Sequence, residues 1–216
     1  MTETVRRRYP FVPVALLLIA AVIAVEVWIA LPERRAFHGT TYDTVAPAAD
    51  FRLADQDGRP VTLASFRGRP LLLFFGYTRC ADFCPQTLGR LSRAVAAAGG
   101  DAEDARILLV TVDPAHDTPA VLKRYVARFG PHVLGATGDS AALAAAWQGY
   151  GAYVVPATPS PTTSHVHAGA APKPPAQLVH SGVVYGIDRA GNLQVVISDG
   201  ATEEEIRDDV RTLSRF

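Results

Sequence analysis

The only two cysteines of this 216-residue chain, Cys80 and Cys84, follow directly on a short apolar run at 71–75. Such a run is typical of a strand that is buried on both faces, so the pair lies where a core strand ends. Pro85 comes next, a residue favoured in the first helical turn, and residues 86–98 then have the apolar period of a helix. The order strand, turn, cysteines and helix predicts an α/β unit with reactive groups at the carboxyl end of a strand.

The spacing of the cysteines indicates their chemistry. Side chains four residues apart lie on the same side of a helical turn, so the two sulfurs can bind one atom or each other. The partial positive charge at a helix N-terminus favours thiolate over thiol, which improves both a ligand and a nucleophile. Thiolates are soft donors that select Cu(I) or zinc over hard ions. Because two sulfurs leave either ion under-coordinated, the pair predicts either a third ligand elsewhere in the chain or a reactive dithiol.

Composition excludes several classes of protein. The chain is 49% hydrophobic and 19% charged, as in an ordinary globular protein, and two cysteines are too few for a disulfide scaffold. Lys+Arg and Asp+Glu are equal at 21 each, so no excess of positive charge indicates nucleic acid binding. The cysteines are therefore interpreted as a functional pair.

The N-terminal part predicts a membrane anchor. Residues 1–10 form a short segment with three arginines, and the run 11–31 is apolar except for Pro13 and Glu26. A helix of this length rises roughly 30 Å and spans a bilayer core. It is longer than a signal-peptide core and no small-x-small cleavage site follows, although a cleaved signal is the alternative. We expect a single-pass helix in a bacterial-type inner (cytoplasmic) membrane, with the domain facing the periplasm or the outside.

The rest of the chain predicts one domain with a tether and a loop. Residues 32–48 lack periodicity, which predicts a tether to a domain at 49–216. An Asp-Gly turn between apolar runs at 51–54 and 61–63 predicts a β-hairpin at the start of that domain. The stretch 152–177 is rich in Pro, Ala and Thr and has no period, which predicts a flexible loop.

The later elements complete a known layout. Caps, apolar periods and turns predict strands or helices at 107–112, 118–129, 132–136, 139–147, 182–187, 193–197 and 202–214. Strands that end where helices begin indicate a parallel βαβ arrangement. The whole order predicts a thioredoxin-like α/β domain, with a central mixed sheet flanked by helices and an N-terminal β-hairpin.

Three motifs in one order carry a family resemblance: GYTRCADFCP at 76–85, VDPAHDTP at 112–119 and LVHSGVVYGID at 178–188. Together they resemble the SCO/SenC family of membrane-anchored, thioredoxin-fold copper proteins, over roughly 50–216. The resemblance implies that Cys80, Cys84 and His180 bind a copper ion, as Cu(I) or as Cu(II). Two thiolates and one imidazole give a trigonal soft site, so the donor chemistry agrees with that implication.

The resemblance also implies a role in the assembly of cytochrome c oxidase. Family members look like metallochaperones for its binuclear copper centre, thiol reductants, or both. The implied partners are the copper-bearing subunit of the oxidase, other copper carriers and the membrane, and no nucleic acid is expected. Two features depart from the family: Ala81 stands where proline is usual, and the loop at 152–177 is longer.

Other readings of the cysteine pair stay open. One is an enzyme, a thiol-disulfide oxidoreductase in which Cys80 and Cys84 are the redox pair that keeps the copper-ligand cysteines of the oxidase reduced. Against it, three residues separate the cysteines where redox thioredoxins have two. Another is a copper or redox sensor.

Four further side chains are candidates for supporting roles. Asp113, at the end of the strand next to the cysteine strand, is expected near the pair, where it supports the site or only caps the turn. Asp82 lies between the cysteines and either adjusts the local field or is an ordinary carboxylate at a helix N-terminus. His165 and His167 form a His-x-His pair in the loop, which is either an auxiliary site for Cu(II) or zinc or simply solvated.

Overall fold

The computed structural model describes residues 14, 16–22, 37–152, 154–156, 178–180 and 182–216. The chain divides into two units, Met1–Ala36 and Phe37–Phe216. The described residues of the first unit are helical and exposed. Among all described residues, no helix is both long enough and apolar enough to cross a bilayer, and most of the predicted anchor at 11–31 lies outside them. The anchor therefore stays a prediction.

The described part of the second unit contains strands and helices in alternation. The strands are β1 Thr40–Pro47, β2 Arg52–Asp55, β3 Pro60–Thr62, β4 Leu71–Gly76, β5 Arg106–Thr111, β6 Val133–Thr137, β7 Val154–Pro156, β8 Leu178–His180, β9 Val184–Ile187 and β10 Asn192–Ile197. The helices are α1 Phe83–Ala98, α2 Pro119–Val126, α3 Ser140–Gly149 and α4 Glu203–Leu213. Eight strands form a mixed sheet in the order β1-β10-β9-β4-β5-β6-β2-β3, and β7 pairs with β8 in a separate two-stranded sheet.

Strands β4 and β5 form the centre of the sheet and position the site. They run parallel in register, from the pair Leu71 and Arg106 to the pair Gly76 and Thr111. All six residues of β4 are buried, as its continuous apolar run predicts for a strand covered on both faces. Because parallel strands end at the same edge of a sheet, residues 77–84 after β4 lie beside the polar segment that follows β5.

Each predicted strand and helix of the domain is present in the predicted order, but β1, β7 and β8 were not predicted, and β7 lies in the stretch 152–177 that was expected to be a loop. The two hairpins form as expected, with β2 antiparallel to β3 and β9 antiparallel to β10. The α4 helix begins with the predicted capping box, in which Glu205 N donates to Thr202 Oγ1 at 3.2 Å and Thr202 N donates to Glu205 Oε2 at 2.8 Å. The α1 helix begins at Phe83, before the apolar period at 86–98, so Cys84 is itself a helical residue. The mixed α/β, thioredoxin-like architecture is therefore present in the second unit.

Part of the expected tether at 32–48 is folded. Strand β1 occupies about half of it and pairs antiparallel with β10 at the edge of the main sheet. The β1 side chains whose burial is described are exposed, so the apolar alternation that would indicate a strand is missing from the sequence. Two residues just before β1, His38 and Gly39, are hydrogen-bonded to α4. Their backbone N–H groups donate to the buried carboxylate of Asp209, at 2.7 Å and 3.2 Å respectively. These hydrogen bonds attach the start of the second unit to α4.

We expect Asp209→Ala to lower the free energy of unfolding by about 1 to 2 kcal/mol, because two partly buried N–H groups lose their acceptor. Urea denaturation of the full chain, followed by circular dichroism, measures the change. Asp208→Ala is the matched control, since Asp208 lies on the same helix in ion pairs with Arg207 and Arg211 that are partly exposed. Equal losses in the two variants would contradict the assignment.

Candidate metal centre

Cys80 and Cys84 lie at the junction of β4 and α1, and they do not form a disulfide. Cys84 is completely buried, whereas Cys80 is half-buried. The backbone N–H of Cys84 donates to Cys80 Sγ at 3.3 Å, so an amide at the start of α1 points at the first sulfur. The two cysteines therefore lie side by side, although Cys80 precedes the helix and only Cys84 is part of it.

Burial raises the pKa of the Cys84 thiol well above its ordinary value. A backbone hydrogen bond at Tyr77 acts in the opposite direction, but Cys80 and the carboxylate of Asp117 raise the pKa further. The expectation that the helix N-terminus favours thiolate at both cysteines is thus wrong for Cys84, because loss of solvent outweighs the helix. In the metal-free chain Cys84 is a protonated thiol at neutral pH.

The sulfur of Cys84 packs closely against the end of β4. A Cβ atom at Gly76 would lie 3.1 Å from Cys84 Sγ and 2.8 Å from Phe74 Cε1. Only glycine at the last position of β4 leaves this space. The sequence motif therefore begins with glycine for a steric reason, not for a special backbone angle.

Asp113 holds the residue that precedes Cys80. Arg79 donates to Asp113 Oδ2 from Nε at 3.0 Å and from Nη2 at 2.6 Å, and His116 Nδ1 lies 2.8 Å from Asp113 Oδ1. Burial alone would raise the pKa of Asp113, but the hydrogen bonds with His116 and Arg79 outweigh it and hold that pKa below its ordinary value. Asp113 therefore lies next to the cysteine turn, through Arg79, as its place at the end of β5 predicted.

Asp117 makes a second and more deeply buried connection, which the sequence analysis missed. Its side chain has no solvent exposure and accepts from Thr78 N at 3.1 Å, Thr78 Oγ1 at 2.5 Å and Thr111 Oγ1 at 2.6 Å. These bonds tie the turn before the cysteines to the end of β5. The only sequence signal for this role of Asp117 was its position in the VDPAHDTP motif. An aspartate in such a polar cluster cannot be told from an ordinary turn residue by sequence.

The other predicted residues are placed differently. Asp82 is exposed and accepts a hydrogen bond from the side chain of Gln86, so it points along the surface of α1. His165 and His167 lie outside the described residues, as does the side chain of His180, whose backbone ends β8. Among the side chains that the structure describes, no group of three or more His, Cys, Asp or Glu residues is placed to hold a metal ion.

Strand register nevertheless brings the segment after His180 to the cysteines. Strand β9 pairs antiparallel with β4 as far as Phe74 opposite Val184, and the same register continued would put Gly182 level with the end of β4. A Cβ atom at Gly182 would lie only 2.9 Å from Cζ of Phe83, the residue before Cys84. The chain two residues beyond His180 therefore contacts the loop that carries the cysteines.

A comparison with protein families now identifies the family of the chain. The SCO1/SenC family model matches residues 40–215, which contain both cysteines, the Asp113 to Asp117 segment and His180. The chain belongs to the SCO1/SenC family. This Sco protein is 34% identical over 167 residues to the mitochondrial SCO2 homolog of Bos taurus, across 75% of this chain and 58% of the relative. It spans about half the length of the first curated relatives it matches, from 36% to 58%.

Solved structures of Sco proteins share the fold. Bradyrhizobium japonicum ScoI with copper bound has 34% sequence identity and a TM-score of 0.64, over 77% of this chain and 99% of that chain. BsSco is described as a member of the Sco family of cytochrome c oxidase assembly proteins, with a disulfide switch. At 23% identity and a TM-score of 0.57, over 81% of this chain and 98% of that chain, the match to BsSco shows the fold alone.

We expect iodoacetamide to modify Cys80 of this Sco protein at least about tenfold faster than Cys84 at neutral pH, because the thiolate is the nucleophile and buried Cys84 keeps its proton. Peptide mass spectrometry after timed quenching measures both rates in one sample. The Cys84 rate should rise only in the alkaline range. The contrary outcome is a Cys84 that reacts as fast as Cys80 at neutral pH in the folded, metal-free chain.

Proposed function

We propose that this Sco protein binds one copper ion through Cys80, Cys84 and His180 and delivers it to the copper-bearing subunit of cytochrome c oxidase. The observation that carries the proposal is the pair of cysteines at the junction of β4 and α1, where the backbone N–H of Cys84 donates to Cys80 Sγ. Membership of a family of oxidase assembly proteins supports the destination, and the copper-bound ScoI structure supports the metal.

The described residues fit a soft ion. The sulfurs of Cys80, just before α1, and Cys84, in its first turn, are a donor set for Cu(I) or zinc, and an imidazole from His180 would complete trigonal coordination of Cu(I). The hydrogen bonds of Asp113 and Asp117 hold the turn that precedes Cys80 before any metal arrives. A turn held in this way keeps the ligand positions within the narrow tolerance that a metal site requires.

The unequal burial of the two cysteines indicates the order in which they release copper to the partner. Cys80 is half-buried, so a thiolate of the partner can reach copper on the Cys80 side, while Cys84 lies beneath it without solvent contact. One copper–sulfur bond to the partner forms as the bond to Cys80 breaks. The exchange moves no electrons, so the ion stays Cu(I) throughout, and repetition at Cys84 and His180 completes the transfer.

The predicted helix at 11–31 would hold the domain at the outer face of the cytoplasmic membrane. The apolar length of that run supports this part of the proposal. In this location the domain can meet both the membrane-bound oxidase and other copper carriers.

A thiol-disulfide reductase is the second candidate function. It is favoured by the same asymmetry, since an accessible sulfur with a buried partner in hydrogen-bonding reach suits an attacking and a resolving thiol. The Cys80 thiolate would attack a target disulfide and release one target thiolate. The released target thiolate would take the proton of Cys84, and the Cys84 sulfur would then displace the second target thiol, so the target gains two electrons and two protons while Cys80 and Cys84 become a disulfide.

Copper titration tests the ligand set. We expect one Cu(I) per wild-type chain, loss of tight binding in Cys80→Ser and Cys84→Ser, and at least about tenfold weaker binding in His180→Ala. Competition with a chromophoric Cu(I) chelator measures the affinity, and the Cu(II) absorption spectrum reports on sulfur ligation. His38→Ala is the matched control, since its side chain is exposed and its backbone N–H keeps Asp209. Full affinity in His180→Ala would refute the ligand assignment.

Transfer and reduction are separated with one target, a purified domain that carries the copper-binding cysteines of the oxidase subunit. We expect the copper-loaded chain to pass Cu(I) to the reduced target, measured by mass spectrometry of both proteins. We expect the metal-free, reduced chain to leave the oxidised target disulfide intact over the same time. Rapid reduction by wild type, abolished in Cys80→Ser, without copper transfer would establish the reductase in place of the chaperone.

A further inference from the structure

The contact between Phe83 and Gly182 links the two halves of the proposed site. Phe83 is the first residue of α1 and stands immediately before Cys84. Gly182 comes two residues after His180. We propose that Phe83, seated on Gly182, is a positioning residue that sets the distance between the cysteines and the His180 segment, a role that rests on the proposed copper site.

The Phe83 ring cannot move away from Gly182 freely. Its centroid lies 6.2 Å from that of Phe74 at an interplanar angle of 45°, and Phe74 is a completely buried residue of β4. Phe83 is itself half-buried and packs against the main hydrophobic core. The ring of Phe83 is therefore in contact both with the sheet, at Phe74, and with the chain at position 182.

Gly182 is required by space and not by backbone conformation. A Cβ atom there would lie 2.9 Å from Cζ, 3.5 Å from Cε1 and 3.7 Å from Cε2 of Phe83, and real Cβ atoms essentially never approach closer than 3.0 Å. The φ angle of Gly182 is not positive, so an L residue could adopt its backbone. The missing side chain thus allows the ring to rest directly on the main chain.

The contact between Phe83 and Gly182 lies nearer to His180 along the chain than the last residue pair between β4 and β9. The last ladder pair between β4 and β9 joins Phe74 and Val184. A fully extended chain spans at most about 3.6 Å per residue, so the Cα atoms of Gly182 and His180 are at most about 7 Å apart. Among the described residues, the contact of Phe83 with Gly182 therefore joins the cysteine loop to the chain close to His180.

A small displacement of Gly182 relative to Phe83 should change the position of His180 relative to the cysteines, and so the affinity for copper. Ligand positions must hold to within about 0.5 Å for a productive metal site. A methyl group at position 182 forces either the ring or the chain to shift by a few tenths of an ångström or more. Because Phe74 supports the ring, most of the shift falls on the chain that carries His180, and residues that orient metal ligands typically change affinity by tenfold or more.

The test measures Cu(I) affinity of full-length variants by chelator competition. We expect Gly182→Ala to weaken binding about tenfold and Gly200→Ala to leave it unchanged, since a Cβ at Gly200 meets open space. Adding Phe83→Val to Gly182→Ala removes the clash and should restore most of the lost affinity. Adding His180→Ala instead should abolish the effect of Gly182→Ala, because the displaced ligand is already absent.

The outcomes separate this inference from the copper site itself. Wild-type affinity in Gly182→Ala, with His180→Ala weakened as expected, overturns the role of Phe83 and leaves the site intact. No effect of His180→Ala refutes the ligand set instead. Thermal unfolding of each metal-free variant checks folding. If Gly182→Ala does not fold, Phe83→Val alone decides: we expect about threefold weaker binding that vanishes when His180→Ala is added, and an equal loss in both backgrounds overturns the inference.

Discussion

The buried carboxylate of Asp117 is the interaction on which the arrangement of the site depends. It has no solvent exposure and accepts three hydrogen bonds, two from Thr78 and one from Thr111. A buried charge is tolerated only when such bonds replace water, so both threonines are held firmly in place. Thr78 begins the turn to the cysteines and Thr111 ends β5. The hydrogen bonds of Asp117 thereby continue the connection between β4 and β5 past the edge of the sheet, into the loop that carries the two cysteines.

The two cysteines differ in burial because this loop is held in place. Cys84 enters α1 and is pressed against Gly76, where burial raises its pKa, while Cys80 stays half-buried with an amide pointing at its sulfur. One sulfur is thus placed to retain a ligand and the other to exchange it. The same geometry serves a metal carrier or a dithiol, which is why the two candidate functions share one site and differ in what reaches Cys80.

The proposed third ligand belongs to a different part of the chain. The segment after His180 is brought toward the cysteine loop by antiparallel pairing of β9 with β4 and by the contact of Gly182 with Phe83. Phe83 is part of the cysteine motif, whereas Gly182 and β9 lie outside it. The proposed site is therefore assembled from two segments about a hundred residues apart, and its precision rests on the packing between them.

The sequence by itself determined the local elements and the chemistry. The apolar run of β4, the helix after it and the capping box at Thr202 follow from periods and caps that depend only on neighbouring residues, and so does the pairing of Cys80 with Cys84. The tertiary structure decided what depends on distant partners. Strand β1 has exposed side chains and becomes a strand only by pairing with β10, and Asp117 is buried only because two strands end beside it. The unequal exposure of the cysteines has the same origin, since burial is a property of the packed chain and not of the motif.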